Sequence, residues 1–557
     1  MTRELRSSVA VPIPAPAPVP VIVVGAGPTG LTLALVLAGH GVACVVVDDD
    51  EATSTEGSRS ICVQGHSLAI LDRVGAGAVR AEGVQWNIGR TYHRGREIAQ
   101  SRIAGGDPDA GPRFVNIGQS RVEAILAEAV LAHPLSATAW AHHVDGVDGI
   151  RPDAAGVDVA ATGPDGAVRR WRAQYVVGAD GGRSTVRDVL GIAFEPPPGQ
   201  PDVDDPYLVV DVRAELPFPA ERRFFFDPPW NPGRQVLLHP QPDGVWRIDW
   251  QVPPGFDLGA ETACGGLDER IRAVVGDATA YEVLWSSVYT VRQRLAERFR
   301  VGRVFLAGDA AHLMSVFGAR GMNSGIQDAD NLGWKLAYTL KGDAAEGLLD
   351  SYETERREAA VANLEVTGAT MRFLAPPTGG ARLRRRLVLA GAPYAGFLRR
   401  KVDSGRLSEP AVYRDSSTVQ PGCGALAPDL PVRRLGGTAV GGPAPAQPDK
   451  PLRSLRGGPF VVVAVGPTVE EASELGAAVD LALDARPGRT ERRLPPYVIV
   501  AGAAADASGD TETAGAALGN LLVVRPDGHL AWKVNGERAP DEVADALAEA
   551  LLRASGG

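Results

Sequence analysis

The sequence predicts an α/β chain: a parallel sheet flanked by helices, an antiparallel sheet inserted into it, and a smaller α/β unit at the C-terminal end. Three observations carry this. Apolar runs without polar alternation, residues 21–24, 175–177 and 304–307, each stop at a glycine, as parallel strands buried on both faces do. Residues 200–256 are rich in aromatic and β-branched types, lack a helical period and are broken by DPPWNPG and PQPDG, the signature of an antiparallel sheet. Finally, PFVVVAVG, LPPYVIVAG and NLLVVRPDGHLAWKV alternate with helical patterns at 469–478 and 540–553.

In chain order, residues 1–19 combine a charged head with repeated prolines, which break any signal-peptide helix and predict a disordered leader. Residues 21–47 give strand, glycine turn, helix and strand. Residues 328–373 return to an amphipathic helical pattern, and a Pro/Gly-rich stretch after residue 401 reads as linker. The predicted division is a discontinuous first domain (20–83, 113–195 and 299–400), an inserted domain (84–112 and 196–298), a linker (401–455) and a tail domain (456–557).

A chain of 557 residues can bury several cores. Its net charge of -10 argues against nucleic acid as partner, because phosphate backbones are bound by clustered cations. Cys44, Cys62, Cys264 and Cys423 are far apart and form no C-x-x-C, so neither a disulfide framework nor a metal centre is expected and a reducing cytoplasm fits. No apolar run reaches the roughly 18 residues of a membrane span.

Gly25, Gly27 and Gly30, with Pro28 and Thr29 between them, form G-x-G-x-x-G after a strand and at the head of a helix. In a Rossmann-like unit the first glycine makes the turn, the second admits a pyrophosphate and the third lets helix and strand touch. Asp48, at the end of the next strand, stands where a carboxylate would take a ribose hydroxyl. The motif alone leaves NAD and FAD open.

The three segments VIVVGAGPTGLTLALVL, VVGADGGRSTVRDVLGI and RVFLAGDAAH with GARGMNSGIQDADNLGWKLA resemble, in order and spacing, the fingerprints of the FAD-dependent aromatic hydroxylases, the single-component flavoprotein monooxygenases. The resemblance covers residues 20–400. The tail resembles the thioredoxin-like domain of the phenol and polyketide hydroxylase branch, without its redox cysteine pair. By resemblance, Asp309 after Gly308 holds the ribityl chain of FAD. Gly318 and Gly321 bring backbone to the flavin ring, and the helix starting near Met322 and Asn323 aims its positive end at it. Asp180, Gly181 and Arg183 resemble the segment that touches FAD and the pyridine nucleotide, while Arg59 and Gln119 match positions that contact FAD. His312 is expected to be a packed residue of the turn. One departure stands out: Ser315 and Val316 replace two family prolines, which frees the turn and restores backbone donors beside the substrate.

The resemblance implies that NAD(P)H reduces FAD, that O2 forms a flavin hydroperoxide, and that an aromatic substrate, a phenol or a polycyclic polyketide, is hydroxylated. It implies no metal and no membrane partner, and it allows a homodimer. A Baeyer-Villiger or epoxidising oxygenase, an oxygen-independent flavin dehydrogenase and a flavin-stabilised binding protein stay open as alternatives. In VWRIDWQV, alternation sets Trp246, Ile248 and Trp250 on one face and Arg247 and Asp249 on the other. Either Arg247 and Asp249 form a solvated pair or they face the flavin cavity; Arg247 resembles an arginine near flavin and substrate in the family, which favours the cavity. His239, on the preceding strand, is a candidate for taking a phenolic proton, and Trp230, Trp285, Tyr289 and Phe317 are candidates for lining the pocket.

Overall fold

The computed structural model describes residues 18–54, 57, 60–102, 112–197, 206–290, 292–403, 405, 407–427, 431–434, 450–465, 497–502, 520–535 and 540–556. Arg59, most of the leader and the helix expected at 469–478 lie outside them.

The parallel core runs Val304–Leu306, Val168–Gly178, Val19–Val24, Cys44–Val47, Ser136–Ala139, with every neighbouring pair parallel. All three apolar runs are therefore side by side, and each ends at the same edge of the sheet. The first strand begins at Val19, inside the expected leader. Helix Pro28–Gly39 is apolar almost all round and buried from Gly30 to Ala38. It lies between the sheet and the long helix Gly321–Lys341, where a Cβ on Gly333 would come within 2.5 Å of Val36. Each fully buried Leu or Val here contributes about 1.5–3 kcal/mol.

The second sheet has the order Tyr281–Thr290, Pro206–Ala214, Val245–Gln251, Gln235–Pro240, Arg222–Phe226, Ile88–His93, Arg96–Arg102. It is antiparallel except at one joint, where Arg222–Phe226 and Ile88–His93 run parallel because two distant chain segments meet there. One of its faces packs on helix Gly266–Val275, with Trp246, Ile248 and Trp250 in a core with Leu267, Ile271 and Val275. The opposite face carries Arg247 and Asp249.

The tail forms a mixed sheet in which Phe460–Val465 runs parallel to Tyr497–Gly502 and antiparallel to Asn520–Val524, followed by helix Pro540–Ala554. The stretch read as linker needs correcting. Pro431–Arg434 pairs with Tyr497–Gly502, and Tyr413, Ser416 and Thr418 are buried against helix Asp350–Leu374. Their burial follows from Glu355 on that helix, whose carboxylate accepts from Ser416, Thr418, Lys335 and Arg525. Arg525 belongs to the tail and also binds Asp527, so a desolvated ionic seam joins the tail to the long helices. Burial pushes the Glu355 carboxyl upward, but Arg525 and Lys335 outweigh it and hold the group well below the usual carboxylate range.

Candidate active site

A cavity of about 1090 Å³ runs from the glycine turn of the parallel sheet to the polar face of the second sheet. That exceeds the roughly 300–1,000 Å³ of single small-molecule sites. It has room for a dinucleotide and a second molecule.

The three glycines of the first turn divide as the spacing predicts. Gly25 has φ +106°, and a Cβ there would meet the Ala179 carbonyl at 2.4 Å. On Gly30 a Cβ would meet the Gly25 carbonyl at 1.9 Å, so helix and turn touch backbone to backbone. Gly27 differs: a Cβ there meets no protein atom within 4 Å, yet the residue lines the cavity at the helix N-terminus. Only a ligand would need that position bare.

Around this turn the cavity is lined by Pro28, Thr29, Gln119, Gly181, Asp309, Gly318, Gly321 and Met322. Other expected residues serve the walls. Asp48 lies outside the lining, accepting from Ala26 N at 2.5 Å and Asp50 N at 2.9 Å, so it braces the glycine turn. Asp180 accepts from Ser184 Oγ at 2.5 Å and Val186 N at 3.0 Å, which turns its carboxylate into the helix start and leaves Gly181 and Gly182 to face the cavity. Arg183 is exposed and outside the lining; Gly308, at φ +62°, supports the turn from behind. Asn323 is a clamp: its amide donates to the carbonyls of Cys62 and Ala319 and accepts from Gln64 N.

Several residues that hold the site escaped sequence reading. Arg187, within the second fingerprint, donates to the carbonyls of Gly182 and Ala310, tying two cavity turns together. Asp328 accepts from Gly308 N at 2.9 Å and from Arg356 Nε at 2.6 Å, and it contacts His312 Nε2 at 2.6 Å. His312 is thus a packed residue of the turn, as expected. Ser315, which stands where the family has a proline, donates to Met371 Sδ and accepts from Phe317 N at 3.4 Å. No local signal set Asp328 apart, because Asn323, Ser324, Gln327, Asp330 and Asn331 of the same helix are buried as well.

On the second sheet, Arg247, Asp249 and His239 all face the cavity, with Leu237, Tyr207, Tyr289 and Arg222. Of the aromatic candidates, Tyr289 and Phe317 line it, Trp230 packs in the core beneath, and Trp285 lies under the Arg247 guanidinium. Arg247 is committed to Asp211, which takes its Nε and Nη2 at 2.8 and 2.7 Å. Asp249 receives no such clamp, and burial raises its pKa to about 7, with Arg247 and Arg222 pulling it down and Asp211 pushing it up. Burial, then Arg222 and Arg247, hold the His239 imidazole well below its ordinary pKa, so it is neutral. Among the described residues its buried Nδ1 has no hydrogen-bond partner. Burial likewise lowers Arg222, to about 10, against the opposing pull of Cys62, Asp403 and Asp249.

The FAD-binding domain family matches residues 18–367, well over half of the chain. The 12-dehydrotetracycline 5-monooxygenase/anhydrotetracycline 6-monooxygenase of Streptomyces rimosus subsp. rimosus is 31% identical over 540 residues, covering 93% of this chain and 95% of that one. The chain belongs to the FAD-dependent monooxygenases. This monooxygenase is also 31% identical over 398 residues to a 3-(3-hydroxy-phenyl)propionate/3-hydroxycinnamic acid hydroxylase of Mycolicibacterium smegmatis, covering 70% of this chain and 67% of that one. Its fold matches the flavin-dependent monooxygenase PieE, solved with FAD and substrate, at TM-score 0.76 and 22% identity over 97% of this chain and all of the other. The bare helix start at Gly27, the cavity-facing turns and the size of the chamber fit FAD. Among the described residues, no helix of this monooxygenase is long and apolar enough to cross a membrane.

Proposed function

We propose that this monooxygenase hydroxylates an electron-rich, fused-ring phenolic substrate, using NAD(P)H as reductant and O2 as oxidant. The observation that carries the reading is that one continuous cavity pairs a dinucleotide cradle at one end with a polar wall presenting Asp249 and His239 among aromatic side chains at the other. The full-length relative named for tetracyclines and the hydroxyphenylpropionate hydroxylase support a hydroxylated aromatic ring.

In this reading FAD supplies the redox and oxygen-activating chemistry when bound. Gly27, Pro28 and Thr29 receive its pyrophosphate at the helix N-terminus, Asp309 holds its ribityl chain, and Gly318, Gly321 and Met322 pack at the ring. Asp48 orients the glycine turn that meets the adenosine end. The substrate phenol gives its proton to the Asp249 carboxylate, which raises electron density on the ring, and the bare Nδ1 of neutral His239 holds the same oxygen. Arg247, neutralised by Asp211, keeps the wall rigid beside them. The sheets support the division into a discontinuous FAD domain, an inserted substrate domain and a thioredoxin-like tail without a redox cysteine pair.

The test is a screen of flavin-loaded protein against simple phenols and fused-ring phenolic quinones, following NAD(P)H oxidation, oxygen uptake and product mass. A product heavier by one oxygen atom is expected. A yellow protein that gives neither substrate-dependent NAD(P)H oxidation nor an oxygenated product overturns the reading.

A further inference from the structure

Helix Gly379–Gly391 and the short helix Gly396–Arg399 form the outer wall behind the substrate end of the cavity. Their inner side is a core: Leu389 and Ala392 cluster with Phe317 and Tyr207, both cavity residues. Among the described residues nothing covers their outer side. Leu383 is 59% exposed, Leu387 63%, Tyr394 76% and Phe397 58%, four large apolar side chains within fifteen residues. Leu383 and Leu387, four apart, share one helix face.

The same segment is strongly basic. Residues 379–401 hold Arg382, Arg384, Arg385, Arg386, Arg399, Arg400 and Lys401 and no acidic residue, in a chain of net charge -10. Among the described residues none of the seven has a carboxylate in salt-bridge contact. Arg382, Arg385 and Arg399 donate instead to the carbonyls of Pro376, Leu374 and Ala392. Asp227 is the acid whose field reaches Arg385, and it is bound by Arg94.

We propose that this face docks on an anionic lipid surface, the cations meeting headgroups while Leu383, Leu387, Tyr394 and Phe397 enter the interfacial layer. Clustered Lys/Arg with Leu and aromatic side chains on one amphipathic surface is the physical signature of such attachment. A second copy of the chain fits it poorly, because a two-fold interface would set seven cations against seven. This contact departs from the expectation of no membrane partner, and it needs no membrane-spanning segment. The proposal rests on charge and exposure and stands whatever ring the enzyme oxidises.

The test sediments the flavin-loaded full-length protein with phosphatidylcholine vesicles, with and without phosphatidylglycerol. Binding to the phosphatidylglycerol vesicles alone is expected, released at roughly 0.5 M salt. The double variant R384Q/R386Q should bind about 30-fold more weakly, and L383S/L387S should also lose binding, both with unchanged flavin content and unchanged turnover of a soluble aromatic substrate. Failure of the wild-type protein to bind at low salt overturns the proposal, as does equal binding by both variants. A loss of binding that tracks conversion of a dimer to a monomer assigns the face to self-association and overturns it too.

Discussion

His312 Nε2 lies 2.6 Å from Asp328 Oδ2, and neither side chain reaches solvent. The same carboxylate takes the Gly308 amide and the Arg356 guanidinium, so one buried acid holds the turn that carries Asp309. Burial works against its charge, but His312 and Arg356 keep it ionised.

Asp328→Asn should therefore cost about 3–5 kcal/mol, because Arg356 would be left buried beside a neutral amide. The Gly308 turn would loosen with it. The expected outcome is a lowered thermal midpoint together with faster release of FAD, followed by the recovery of flavin fluorescence. An unchanged midpoint would remove Asp328 from this role.

Gly27→Ala separates ligand fit from folding. Its new methyl meets no protein atom, so unliganded stability should change by less than about 1 kcal/mol. FAD affinity should fall at least tenfold, read by titration of the unliganded protein. Gly30→Ala, facing a carbonyl at 1.9 Å, should prevent folding instead.

These contrasts mark what the sequence made legible. The three glycine fingerprints and their strands are contiguous and local, so the parallel core, the first glycine turn and the alternation of VWRIDWQV were legible from period and spacing, while the later turns as cofactor contacts and the polar face as cavity wall came from the family resemblance. The side-chain bonds that Asp180 makes to Ser184 and Val186, and Asn323 to Cys62, Ala319 and Gln64, were not legible, since spacing fixes where backbone goes and not which hydrogen bonds the side chain makes. Arg222 and Asp328 act across more than twenty residues of chain or between sheets, and no local pattern encodes such pairings. The region after residue 401 looked like linker because its composition is loop-forming; its burial comes from Glu355 and Arg525, far away in sequence.

Asp249 should give two linked pH effects. Its folded-state pKa, near 7, lies above the ordinary 3.8, so the folded protein binds the proton more tightly than the unfolded chain. Its contribution to stability therefore falls as pH rises from about 4 to about 7 and stays at that lower level above. In kcat/KM, deprotonation should appear as a rising limb near pH 7. Asp249→Asn should abolish that limb and flatten the stability change; a limb that survives the substitution would assign the proton to another group.

Glu355 carries the opposite sign. Its folded-state pKa is depressed, so its stabilisation is present above the ordinary value of 4.5 and is lost as pH falls below it. Glu355→Gln should lower stability by about 3–5 kcal/mol near neutrality. The denaturation midpoint of the variant should also fall less steeply than that of the wild type on acidification. A parallel acid limb in both proteins would shift the burden to other carboxylates.

The seam of Glu355, Lys335, Arg525 and Asp527 has a final consequence for how the molecule comes apart. Removing the segment that bears Arg525 would take from the Glu355 carboxylate the guanidinium that meets both its oxygens, leaving it in a dry interior beside Lys335, so the flavoprotein portion should not survive trimming as an independent body. Heating should accordingly melt both ends of the polypeptide in one calorimetric peak, with no separate early event from the tail.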